Sequence, residues 1–248
     1  MNALITGTDS GLGKDLFEVF QARTQGIVLG TTVGIPDDDE SELYELNVTR
    51  HSAVEDSVRG VEAFVRSHVR PGEGGKLDIL INNIGINAIR EFESLDEDFI
   101  NHVMAVNFIL PVLITQECLP FFRNGGRVIN IVSEASWKPM RHSLAYNCSK
   151  AALRMATLQM ARELTKPYGV SIIAVHPGKL AGTEMTSYID KHIRQTRGWT
   201  EEENQAYQAK GRVTPYEQNT KALAKLIYDI ATSDLFPSMS GAMMDVVG

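Results

Sequence analysis

A chain of 248 residues with 43% apolar and 22% charged residues has an ordinary globular composition, long enough for one large α/β domain or two small ones. The net charge of −7 excludes a general nucleic-acid or anionic-membrane binder, which needs a basic surface. No secretion-signal arrangement and no uninterrupted apolar run of bilayer length is read, so a cytoplasmic protein without membrane contact is expected.

Residues 2–6 form a short apolar strand that runs into Gly7-Thr8-Asp9-Ser10-Gly11-Leu12-Gly13. A helical pattern follows, carrying Leu16, Phe17, Val19 and Phe20. Strand, glycine-rich turn and helix aim a helix amino terminus at a pyrophosphate, and glycine lets the backbone come close to it. A second strand covers 26–32. Dinucleotide folds place an acid at the end of this strand for the ribose 2′-hydroxyl of NAD. Thr31 and Thr32 stand there instead, and neither repels a 2′-phosphate. No arginine is ready to clamp one, and Lys14 is the nearest base in sequence.

Asp37-Asp38-Asp39-Glu40 reads as a solvated loop, and 42–48 as a third strand ending near Asn47. A helix over 51–70 and a loop over 71–75 precede a fourth, almost wholly apolar strand at 77–83. Strands buried on both faces of a parallel sheet look like this. The spacing predicts one long helix over 96–122, with Asn107 among apolar neighbours, where a buried amide needs partners. A fifth strand at 126–132 leads to Ser133, and a helix around Tyr146 runs to about residue 166, where Pro167 and Gly169 close it. A sixth strand at 170–175 is followed by His176-Pro177-Gly178.

Residues 179–212 are polar and weakly periodic, and are expected to form a helical lid, with an ordinary helical insertion as the alternative. A final helix over 216–232 and a last strand at 242–247 complete the chain. Strands and helices alternate throughout, which indicates one parallel sheet with helices on both faces. Cys118 and Cys148 fall in predicted helices and are expected as buried free thiols; no metal-ligand spacing is present, so no metal site is expected.

Tyr146 and Lys150 are four residues apart, so one helical face carries both. A nearby ammonium favours phenolate and is expected to lower the phenol pKa, making the tyrosine useful as an acid or base near neutral pH. Ser133, thirteen residues upstream, is placed to meet the tyrosine across a shared substrate oxygen. Trp137, Arg141 and His142 lie between them as candidate pocket residues, and Lys179 on the opposite loop joins Arg141 as a candidate attractor of anions.

With these residues in place the sequence resembles the short-chain dehydrogenase/reductase family, in its shorter single-domain branch, over nearly the full chain. Thr6-Gly7-x-x-x-Gly11-x-Gly13 is similar to that branch's cofactor loop, and Asn82-Asn83-Ile84-Gly85 resembles its Asn-Asn-Ala-Gly. Asn107, Ser133, Tyr146 and Lys150 match its catalytic tetrad, and Pro177-Gly178 resembles its turn beside the nicotinamide. Three positions depart from the pattern. Asn47 replaces an aspartate near the adenine, Thr183 falls one residue late after Pro-Gly, and the chain end lacks the usual Val-Asp-Gly-Gly.

The resemblance implies a single-domain Rossmann fold, a doubly wound seven-stranded parallel sheet of order 3-2-1-4-5-6-7. It also implies hydride transfer between the nicotinamide C4 and a small-molecule ketone or alcohol. Tyr146 would be the acid/base. Lys150 would tune it and hold the nicotinamide ribose, and Ser133 would steady the substrate oxygen. Asn107 would position a water linking Lys150 to solvent. Cofactor contacts would come from Gly7, Ser10, Gly11, Leu12, Gly13, Thr31, Thr32, Asn47, Asn82, Asn83, Gly85, Tyr146, Lys150, Pro177, Gly178, Leu180 and Thr183. With no acid after the second strand, the balance tips from NAD(H) to NADP(H). A homotetramer or homodimer packed through the two long helices is the implied assembly. The alternatives are a cofactor-binding regulator without turnover and a sugar-nucleotide isomerase or dehydratase. The first is expected to lose part of the tetrad, and the second to add a substrate domain.

Overall fold

The computed structural model describes residues 1–32, 43–46, 51–69, 76–87, 89–210 and 219–246. Asn47, the acidic run at 37–40, the loop at 71–75, residues 211–218 and the last two residues lie outside the described residues. Seven strands, β1 (Ala3–Ile5), β2 (Val28–Thr32), β3 (Leu43–Glu45), β4 (Leu77–Asn82), β5 (Phe122–Ile131), β6 (Ser171–Pro177) and β7 (Met243–Val246), form one sheet of order β3-β2-β1-β4-β5-β6-β7. Every pair is parallel, as expected.

Alternate side chains along the strands feed two cores. On one face Leu4, Leu80, Val128 and Ile172 pack with Val61 and Val65 of α2 (His51–His68) and Ile114 of α4 (Leu110–Cys118). On the other, Ile5, Ile81, Ile129 and Ile173 pack with Leu16 and Phe20 of α1 (Gly11–Arg23) and Ile227 of α8 (Thr220–Thr232). The register fixes which side chains face which layer, so both faces must be apolar. That is why these strands read as continuous hydrophobic runs.

The single helix expected over 96–122 is divided. α3 (Glu97–Met104) gives way to a π turn (Ala105–Ile109) before α4, and a 3₁₀ turn (Leu119–Phe121) follows. Pro111 is the cause. It has no N–H to offer the carbonyl of Asn107 four residues back, and its ring crowds that carbonyl, so the helix widens and Leu110 N–H donates to Ala105 instead. Glu97–Phe121 as a whole is apolar enough to cross a bilayer by length and mean hydropathy, contrary to the sequence expectation. Here it is a core helix, with Val103, Val106, Leu110, Ile114 and Cys118 buried.

β5 begins earlier than expected, at Phe122, with a register shift against β4 between Leu77 and Ile79. α5 (Leu144–Tyr168) runs through Pro167, expected to help close it, and ends at Gly169, which takes a left-handed conformation (φ 64°) and donates its N–H to Thr165 O at 3.0 Å. The segment after β6 forms two helices, α6 (Glu184–Arg197) and α7 (Glu201–Lys210). Of the cysteines, Cys118 is buried, and burial pushes its thiol pKa up; Cys148 is exposed, against expectation.

Candidate active site

β1 and β4 are neighbours although β2 and β3 intervene in sequence, so the sheet order reverses between them. Open α/β sheets bind ligands at such a switch point, outside the carboxyl ends of the strands. Gly7 follows β1 and takes φ +70°, and Gly11 opens α1 with φ +54°. A Cβ on Gly13 would lie 1.7 Å from Gly7 O and 2.5 Å from Asn83 Nδ2, so only glycine lets α1 close onto the loop. Ser10 precedes α1 without a side-chain cap, and the first turn holds no acid. A bare helix amino terminus against a glycine turn fits the pyrophosphate of a dinucleotide. Gly13→Ala is expected to weaken nucleotide binding at least about tenfold, because backbone rather than a flexible side chain must move; titration of NADH fluorescence checks it.

The loop after β4 is pinned to the loop after β1. Asn83 Nδ2 donates to Thr6 O and Gly7 O, both at 3.0 Å, while Thr6 Oγ1 accepts from Asn83 N (3.0 Å) and Ile84 N (3.1 Å). Thr6 is fully buried and holds both backbones together. Asn82, named as a cofactor contact, turns inward instead. Its Nδ2 donates to Asn130 Oδ1 (2.8 Å) and Thr115 Oγ1 (3.1 Å), tying β4 to β5 and α4. Thr31 is likewise buried, its Oγ1 accepting from Gly7 N at 2.9 Å, so it supports the loop from beneath. Thr32 sits at the strand end and donates its hydroxyl to Asp9 Oδ1.

The tetrad gathers beyond this cradle. Ser133 leaves the end of β5, while Tyr146 and Lys150 lie one turn apart near the start of α5, both buried. Ser133 lies close enough to the Tyr146 hydroxyl to lower its pKa, and the Ser133 hydroxyl accepts from Ala135 N at 3.2 Å. Lys150 Nζ donates to Ile131 O at 3.0 Å and lies 6.0 Å from the centre of the Tyr146 ring. The expected lowering of the phenol pKa by Lys150 is overturned. Burial is the largest influence on Tyr146 and raises its pKa; the nearby Ser133 hydroxyl opposes this, and Glu134 reinforces it. Lys150 itself pays for its position, since burial lowers its pKa to about 8.

Asn107 is fully buried, and its side chain is committed. Oδ1 accepts from Ile86 N (2.8 Å), and Nδ2 donates to Ile86 O (2.9 Å) and Ser149 Oγ (3.0 Å). Pro111, four residues on, has no N–H to donate to the Asn107 backbone carbonyl. A Cβ on Gly85 would lie 3.2 Å from Asn107 Oδ1 and 3.3 Å from Lys150 Nζ, so this glycine keeps the space between them open.

Across the crevice Pro177 pairs with Val246, and Gly178 N–H donates to Val246 O at 3.1 Å. Leu180 packs against the core on the α1 side of the sheet. The Thr183 methyl would meet a Cβ on Gly11 at 3.2 Å, so this segment closes on the glycine loop, but the Thr183 hydroxyl is engaged with Thr186 Oγ1 and N, both at 3.0 Å. Lys179 is paired with Asp190 at 2.8 Å, so its charge is balanced. Trp137 is 45% exposed, its ring 4.8 Å from that of the buried His176. A cleft of about 730 Å³ lies beside the tetrad, walled by Arg90, Phe92, Met140, His142, Asn147 and Thr196 of α6; Ser133, Tyr146 and Lys150 do not form its walls.

Ser149 and Pro111 were not singled out from the sequence, and Thr6 and Asp9 were read only as part of the glycine motif, with no role of their own. Pro111 had a readable signal, four residues after the buried amide. Asp9 was visible as an acid in the glycine loop, but its neighbour Thr32 is twenty-three residues away in sequence.

A doubly wound parallel sheet with a glycine cradle at its switch point, and a buried Tyr-x-x-x-Lys pair facing a serine, defines a dinucleotide-fold protein of the tyrosine-lysine type. The family model for short chain dehydrogenases matches residues 1–194. The chain belongs to the short-chain dehydrogenase/reductase family of oxidoreductases. An uncharacterised oxidoreductase of Bacillus subtilis is 33% identical over 192 residues, 75% of this chain and 71% of that protein. An NAD-dependent glycerol dehydrogenase of Listeria innocua is 29% identical over 185 residues, 71% of this chain and 68% of that one. Among solved structures, a short chain dehydrogenase family protein of Francisella tularensis superposes with a TM-score of 0.82 at 19% identity, covering 99% of this chain and 96% of that one.

Proposed function

We propose that the protein is an NAD(P)-dependent oxidoreductase that interconverts a small-molecule carbonyl and its secondary alcohol, with Tyr146 as general acid/base. The observation that carries this is Tyr146 beside Ser133 and one helical turn from Lys150, with Tyr146 and Lys150 both buried. When bound, the nicotinamide supplies the hydride chemistry. The chain's own residues do the rest. Tyr146 gives its proton to the carbonyl oxygen in reduction and takes one from the alcohol in oxidation. Ser133 donates to the same oxygen as charge builds on it. Lys150, charged below about pH 8, adds positive charge beneath the site and a donor for ribose hydroxyls. The main-chain carbonyl of Asn107 holds a water through which the proton is resupplied.

The segment carrying α6 and α7 acts as the helical substrate lid, and α6 already forms one wall of the neighbouring cleft. On β2 alone the cofactor is NADP(H), since Thr31 and Thr32 carry no charge against a 2′-phosphate; the loop beside them alters that balance, as argued below. The protein is proposed to work in the cytoplasm as a homodimer or homotetramer.

Absorbance change of NAD(P)H against a panel of ketones and secondary alcohols tests the function. Net cofactor oxidation or reduction with at least one pair is expected. Tight nucleotide binding with no redox change across the panel favours the idle regulator, and substrate rearrangement without net cofactor change favours the isomerase.

A further inference from the structure

The loop after β1 is zipped along the end of β2. Thr8 N and Thr8 Oγ1 both donate to Thr31 O, at 2.8 and 3.0 Å, and Gly7 N donates to Thr31 Oγ1 at 2.9 Å. The loop therefore runs on beside β2 for two residues past the sheet, and the next side chain, Asp9, arrives next to Thr32. The Thr32 hydroxyl donates to the Asp9 carboxylate, fixing an exposed negative charge at the carboxyl end of β2.

That location is where dinucleotide folds seat the adenosine ribose, and where an acid normally grown from β2 itself accepts from the ribose hydroxyls. Here β2 supplies none, but the glycine loop does. We infer that Asp9 is the specificity-determining residue for the adenosine ribose, so that the protein takes NAD(H) and discriminates against NADP(H). This rests on the cofactor reading proposed above, and it reverses the balance drawn from β2 alone.

The physical case has two parts. A carboxylate accepts several hydrogen bonds at once, so it can take a ribose hydroxyl while still held by Thr32. A 2′-phosphate in the same place would set a near-dianion against a fixed anion, and like charges at contact distance strongly disfavour each other. Thr32 matters because it positions the carboxylate; an untethered surface aspartate would swing into solvent.

The test is equilibrium binding, independent of turnover. NADH and NADPH are titrated by nicotinamide fluorescence, with ADP-ribose and its 2′-phosphate as redox-inert probes. The native chain is expected to bind NADH more tightly than NADPH by at least about tenfold, with the same preference between the inert pair. Asp9→Asn is expected to shrink that ratio by about tenfold or invert it. Thr32→Val, which keeps the carboxylate and removes its tether, is expected to shrink it less. Thermal unfolding confirms that each variant is folded. Equal or tighter binding of NADPH by the native chain overturns the inference, as does an Asp9→Asn variant whose ratio stays at the native value. In both cases the oxidoreductase reading survives. Failure of every nucleotide to bind the native chain would remove the cofactor reading and this inference together.

Discussion

Tyr146→Phe is expected to bind NADH as the native chain does and to lose turnover by roughly three orders of magnitude, within the range general acid–base catalysis supplies. The ring is buried and its packing survives the change. What leaves is one hydroxyl beside Ser133. Losing one buried hydroxyl costs at most about 1 kcal/mol of stability, so the variant folds and the loss reads as chemistry. Binding by fluorescence and turnover by absorbance, measured on the same sample, separate the two. A variant turning over at near the native rate would take Tyr146 out of the mechanism.

The same tyrosine sets a pH dependence. Burial raises its pKa above the ordinary value of 10.0, so the proton-bearing form prevails at neutral pH. Carbonyl reduction needs that form, and its kcat/KM is expected to be flat across neutral pH. Alcohol oxidation needs the phenolate, and its kcat/KM is expected to climb with pH through the same window.

The sheet order, the alternating elements and the gathering of Ser133, Tyr146 and Lys150 follow from local pattern. Buried parallel strands are continuous apolar runs, and helix spacing puts residues 146 and 150 on one face whatever surrounds them. What local pattern could not carry is the sign of an environment. The lysine beside Tyr146 suggests an acidic phenol, but both groups are buried, and desolvation governs each. Nor does a motif separate a ligand from a support. Asn82 and Thr31 occupy positions of the cofactor motifs, yet each spends its side chain holding backbone or a neighbouring element in place. Asp9 illustrates the reverse case. The acid that β2 lacks is supplied by the third residue of the glycine loop only because Thr8 is hydrogen-bonded along Thr31.

Lys150→Met is expected to be inactive and more stable than the native chain. At pH 7 the native fold holds a buried ammonium whose pKa has fallen from 10.5 to about 8, a cost of about 3 kcal/mol. Methionine fills a similar volume without charge, and gives up only the hydrogen bond to Ile131 O, about 1 kcal/mol. A net gain of about 2 kcal/mol corresponds to a Tm rise of about 4–8 °C for a chain of this size. The sign changes with pH in a defined way. Below about pH 8 the folded and unfolded chains both carry the proton, so the whole cost is present. Between about 8 and 10.5 the unfolded chain binds more protons than the folded one, and the native protein gains stability as pH rises. The advantage of methionine is therefore expected to narrow from pH 7 to pH 10, which thermal unfolding at the two values measures. A methionine variant less stable than the native chain at pH 7 would mean that the ammonium stabilises the fold it sits in. The opposite result shows a site that keeps a destabilising charge because the chemistry above it needs one.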